Sequence, residues 1–229
     1  MNQPNSHGSS VVSAVVGQNI ILPDLRPNPE FSLAASRDRL ERAQSALRAV
    51  NIETEIVPDR NAARERVLQL VPEESEVHVG LSETMRVIGV TDVVEQSGKY
   101  RAIRPQLLKL DRVTQRREMA KLATAPDYML GSVHAVTEDG QLVIGSGTGS
   151  QLAAYANGAG KVILVAGAQK VVGTLELGLR RLREYSYPLE DARMKAAGYP
   201  GTKLAKTLII SFDSPGRTHL ILLEEPIGF

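Results

Sequence analysis

Residues 141–167 read QLVIGSGTGSQLAAYANGAGKVILVAG: an apolar run, a connection rich in glycine and hydroxyls, a helical stretch, then a second apolar run. The second run, KVILVAG (161–167), is continuous rather than alternating, which is the pattern of a strand buried on both faces. Strand, loop, helix and buried strand in succession predict a crossover between strands of a parallel sheet.

The same alternation extends outward in both directions. Leu40, Ala43, Leu47 and Val50 stand three or four residues apart on one helical face, and IETEIV follows as a short strand closed by Pro58. Ala63, Val67, Leu70 and Val71 mark a second helix, EVHVG (76–80) a second strand, and Ser82 the N-cap of the helix after it. KYRAI (99–103) predicts a third strand, residues 106–123 a long charged helix, and YMLGSVHAVT (128–137) a buried strand passing into a loop. Beyond 167 comes a helix through LELGLRRLREY, then TLIISF and THLILLEE joined by DSPGR, a pattern that predicts an antiparallel hairpin. The expected fold is an α/β domain over residues 32–229: three layers, Rossmann-like, a mainly parallel sheet with helices on both faces and a C-terminal hairpin. Residues 1–31, with Pro23, Pro27 and Pro29, predict a flexible arm ahead of it.

Composition excludes several function classes. Of 229 residues, 27 are Lys or Arg and 26 Asp or Glu, a net charge of +1 with no global pull toward nucleic acid or an anionic membrane. Cysteine is absent, which removes disulfides, thiolate catalysis, iron–sulfur ligation by this chain and cysteine-type zinc sites. His7, His78, His134 and His219 share no ligand spacing, so neither a metal nor a cofactor is expected. The composition and the lack of a membrane-length apolar run suit a cytoplasmic protein without membrane insertion. Residues 99–121 carry eight Lys or Arg against two acids, a solvated basic stripe that can guide an acidic substrate or partner protein.

Three strand-end loops are candidates for chemistry, because ligands of open α/β sheets bind at the carboxyl ends of the strands. In the first, Gly145, Gly147, Thr148, Gly149 and Ser150 form either a tight turn or a cradle whose backbone N–H groups and hydroxyls meet an anion. In the second, Ser82 and Thr84 follow EVHVG. In the third, Gln169 and Lys170 follow KVILVAG, and there a lysine neutralises a carboxylate or phosphate unless it is an ordinary surface lysine. His134 is a candidate acid/base, or simply a histidine hydrogen-bonded beside the sheet. Glu190, in PLEDAR, is an acid/base candidate or a partner for Arg193.

The run 127–172 (DYMLGSVHAVTEDGQLVIGSGTGSQLAAYANGAGKVILVAGAQKVV), with SETM (82–85), PLEDARMKAAGYPGTKL (188–204) and the final LILLEEPIGF, resembles the lactate-utilization (LUD) domain family, and its stand-alone members in particular. That resemblance implies a fold similar to the ribose-5-phosphate isomerase, glucosamine-phosphate deaminase and CoA-transferase superfamily. It also implies a role in bacterial L-lactate oxidation to pyruvate, beside iron–sulfur partner proteins that carry the electrons. The chain is then expected to bind a small organic anion, a carboxylate or phosphate ester. The alternatives are an enzyme acting alone on a sugar phosphate or acyl-CoA, and a non-catalytic assembly subunit for the iron–sulfur proteins.

Overall fold

The computed structural model describes residues 25–229. Most of the predicted arm lies outside the described residues. The part within them ends in a 3-10 turn, Pro29–Ser32, whose Phe31 is buried and whose neighbour Asn28 donates its backbone N–H to the Glu184 carbonyl.

Helix α1 (Arg37–Ala49) leads to strand β1 (Ile52–Val57), and α2 (Arg60–Leu70), capped by the Asp59 carboxylate, leads to β2 (Glu76–Val79). Two short helices follow, α3 (Glu83–Val87) and α4 (Val90–Gln96), then a two-residue strand β3 (Arg101–Ala102). The long charged helix is instead two: α5 (Ile103–Leu107) and α6 (Arg116–Thr124). Asp111 interrupts it, because its carboxylate accepts the backbone N–H of Val113 and of Thr114 and closes a turn. Strands β4 (Tyr128–Ser132), β5 (Ala135–Thr137), β6 (Leu142–Ser146), β7 (Lys161–Gly167) and β8 (Val171–Val172) follow. A π-helical turn, Ala154–Gly158, lies between β6 and β7. Helix α7 (Leu175–Arg181) runs through a second π turn, Leu182–Ser186, into α8 (Tyr187–Ala196), and β9 (Lys206–Ile210) and β10 (Thr218–Leu223) complete the order.

The main sheet has six strands in the order β1-β10-β7-β4-β2-β3, and every pairing in it is parallel. Period-2 alternation splits β7 between two cores. Val162, Leu164 and Ala166 face Leu40, Ala43 and Leu47 of α1, whereas Ile163 and Val165 face Ala63, Val67, Met85, Val90 and Val94 of α2 to α4. The expected three layers are present, with one modification. On the α1 side the layer also contains a second sheet, ordered β8-β5-β6-β9, whose Val136, Leu142 and Ile144 enter the same core. Its outer side packs on α7 and the second π turn through Ala135, Val143, Val172 and Leu182.

The predicted C-terminal hairpin is not formed. β9 pairs antiparallel with β6 in the small sheet, while β10 enters the main sheet between β1 and β7, parallel to both. Burial explains the outcome. THLILL is sequestered along nearly its whole length, as a central parallel strand must be, whereas KTLII is mostly exposed, as suits an edge. DSPGR therefore carries the chain from one sheet to the other. Among the described residues, no helix is long and apolar enough to cross a membrane.

This arrangement predicts unequal costs for two similar truncations. Leu222→Ala should destabilise the protein by about 2–5 kcal/mol, because it opens a cavity beside β7. Ile209→Ala, at a position 40% exposed on the edge strand, should cost well under half as much. Urea denaturation of both variants checks this; equal losses would contradict the placement of β10.

Candidate functional site

All main-sheet strands run the same way, so the loops after β2, β4 and β7 gather at one edge. The structure joins two of the sequence candidates there. The Lys170 amine donates to Thr84 Oγ1 at 3.0 Å and to Ser132 Oγ at 2.9 Å. Lys170 is not an ordinary loop lysine at the surface: it is 1% exposed, in a 3-10 turn that follows β7 directly. Ser132 in turn donates its hydroxyl proton to the Val165 carbonyl at 2.6 Å.

Beside Lys170 lies Arg181, a residue that the sequence reading missed. It is fully buried. Its Nε donates to the Gln169 carbonyl at 3.0 Å, and its Nη1 donates to the His134 carbonyl and, at 3.0 Å, to Ser186 Oγ. Its Nη2 is buried and has no hydrogen-bond partner among the described residues. The Tyr185 ring covers the guanidinium at 5.0 Å from its centroid. No Asp or Glu among the described residues forms an ion pair with either cation. Burial, reinforced by the Arg181 charge, holds the Lys170 amine well below the usual lysine range, and burial brings Arg181 down to about 10.

His134 belongs to the same cluster. Its Nδ1 accepts the Gly145 N–H at 3.0 Å, which assigns the neutral ring's proton to Nε2. Burial first, then the charges of Lys170 and Arg181, push its pKa down to about 3. His134 is therefore neutral across the physiological range. Tyr155 completes the wall from the first π turn: its hydroxyl lies over Gly80 and Gly131, and a Cβ on Gly131 would collide with it. π turns concentrate at functional sites, and both of those among the described residues border the cluster.

The other sequence candidates have different surroundings. Ser82 caps α3, accepting the Met85 N–H at 3.3 Å. Gln169 holds the chain's last residues, donating to the Ile227 and Gly228 carbonyls at 2.9 Å each and accepting the Ile227 N–H. The space beside the glycines of GSGTGS is filled by the protein itself: Leu182 and Leu204 press on Gly145, the Lys203 carbonyl on Gly147 and the Lys206 side chain on Gly149. Gly149 also has a left-handed φ of 84°. Thr148 and Ser150 are hydrogen-bonded to each other, and only a short helical stretch follows them rather than an extended helix. Of this loop, Gly145 alone is tied to the cluster, through His134. Glu190 forms a bidentate pair with Arg193, with both bonds 2.7 Å. A surface recess over Asp38, Glu41, Arg42 and Glu138 lies elsewhere, and its Glu138 is already paired with Arg39 and Arg42.

The model of the LUD domain matches residues 40–223. The chain belongs to the LUD domain family. A crystal structure of a DUF162 family protein from Deinococcus radiodurans is similar over 82% of this chain and 99% of that one, at 14% identity and a TM-score of 0.51, and so shares the fold. Two weaker likenesses carry no argument. Structures of eIF2B delta and eIF2B beta from Chaetomium thermophilum are 14% and 13% identical, cover 62% and 61% of this chain and 56% and 44% of theirs, and have TM-scores of 0.32 and 0.29. No curated protein matches the chain.

The state of His134 has a measurable consequence. Between its unfolded value of 6.5 and its folded value of about 3, the unfolded chain binds a proton that the folded protein refuses. Stability should therefore fall as pH drops through that window, by up to roughly 1.4 kcal/mol per pH unit from this group. His134→Asn keeps an acceptor near Nδ1 for the Gly145 N–H and removes the titration. Melting profiles against pH should be flatter on the acid side in the variant than in wild type; identical slopes would contradict the assignment.

Proposed function

We propose that this LUD domain binds a small organic anion, a carboxylate or phosphate ester, at the Arg181–Lys170 cluster. We also propose that it serves in the oxidation of L-lactate to pyruvate implied by the family resemblance. One observation carries the binding reading: a fully buried guanidinium with an unpartnered Nη2, beside a buried amine, with no carboxylate to neutralise either. Buried donors are almost always satisfied, and leaving a charged one unpaired costs at least about 1–3 kcal/mol. A bound carboxylate or phosphate would satisfy Nη2 and offset the charge. Neutral His134, with its Nε2–H unpartnered among the described residues, supplies a hydrogen-bond donor that stays uncharged as the ligand binds. Because the chain has no cysteine to ligate a cluster, the electrons of lactate oxidation would pass through iron–sulfur partner proteins.

Lactate, pyruvate and inorganic phosphate should each raise the melting temperature, whereas lactamide and other neutral analogues should not. Arg181→Lys keeps a positive charge but removes the fork. It should weaken anion binding by about tenfold or more, or ~1.4 kcal/mol. Titration calorimetry on the folded variant measures this. The reading fails if neutral analogues stabilise equally well, or if Arg181→Lys binds anions as wild type does.

A further inference from the structure

The hydrogen-bond directions around Lys170 limit what its amine can do. Ser132 has committed its proton to the Val165 carbonyl at 2.6 Å, so toward Lys170 it is an acceptor. Thr84 Oγ1, at 3.0 Å, takes the other bond. A neutral amine has two N–H bonds and one lone pair. Both hydroxyl oxygens lie within hydrogen-bond reach of Nζ, and no carboxylate among the described residues pairs with it. The same geometry disfavours Ser132 as a nucleophile, because its proton points to a main-chain carbonyl and not to the amine. A lysine desolvated beside another cation is a standard means of producing a nucleophilic amine at neutral pH, and burial together with Arg181 lowers the basicity of Lys170 in that way.

We infer that Lys170 is a nucleophile that forms an imine with a small aldehyde or ketone bearing an anionic group, which Arg181 holds. The inference rests on the anion-binding reading and adds the electrophile. In the step, the Lys170 nitrogen attacks the carbonyl carbon, and a proton moves from nitrogen to oxygen to give the carbinolamine. The oxygen then leaves as water after taking a second proton, while nitrogen loses its own and the C=N bond forms. The Thr84 hydroxyl, 3.0 Å from Nζ, is placed to relay these protons. No oxidant or reductant is needed. The residues pinned by Gln169 close one side of the cluster, where Gly228 abuts Thr84.

The test uses the full chain at pH 7 with glyoxylate and cyanoborohydride, followed by peptide mapping. Reduction of the imine leaves Nε-carboxymethyl-lysine. Lys170 should be modified more than about tenfold faster than exposed lysines such as Lys109. Acetate, an anion without an electrophilic carbonyl, should suppress modification at Lys170 and spare the exposed sites. Unfolding in urea should abolish the preference. If glyoxylate raises the melting temperature yet Lys170 stays unmodified, the lysine acts only as a charge: the imine inference is overturned and the anion-binding reading stands. If glyoxylate neither stabilises the protein nor modifies Lys170, both fall.

Discussion

The Arg181 guanidinium joins three separate segments of the chain at one point. Through the His134 carbonyl it reaches the segment between β4 and β5, through the Gln169 carbonyl the turn after β7, and through Ser186 the start of α8. The small sheet is thereby fastened to the carboxyl edge of the large one. A buried arginine is expensive to desolvate, and three neutral acceptors do not neutralise it. The fold keeps it nonetheless. Its Nη2 has no hydrogen-bond partner among the described residues, so the same residue that joins these segments keeps one donor uncommitted.

Much of the layer architecture was legible in the sequence because strand and helix periods differ. KVILVAG could only be a strand sheltered on both sides, and Leu40, Ala43 and Leu47 could only mark one face of a helix. The path of the last strands was misread for a physical reason. A short Pro-Gly turn between two apolar runs suits a hairpin locally, and only the contrast between continuous burial in THLILL and the mixed pattern of KTLII separates them. That is a tertiary property expressed weakly in the composition of each run.

Of the residues that meet in the candidate cluster, the strand-end rule pointed to Lys170 and Thr84, and His134 was singled out as an acid/base candidate, but their neighbour Arg181 was not. Arg181 stands among other arginines in LELGLRRLREY, where charge suggests solvent. The helical period shows otherwise. Gly178, Arg181 and Leu182 fall on one stripe, and all three are buried, so the arginine on that stripe had to enter the core. The glycines of GSGTGS have a packing role that their spacing did not reveal. Glycine admits close approach of any atom, and here the approaching atoms at Gly145, Gly147 and Gly149 are the protein's own.

The position of β10 also governs how this chain can assemble. Among the described residues, β1 has β10 as its single neighbour in the main sheet, so Ile52 pairs with Thr218. The first strand formed and the last are joined directly, at a sequence separation that makes loop closure slow. Until β10 arrives, one side of β7 is an open edge of apolar residues, the kind of surface that recruits other chains. A nascent chain on the ribosome cannot complete its central sheet early. Thr218–Leu223 must be made and must leave the ribosome before β1 and β7 can be joined.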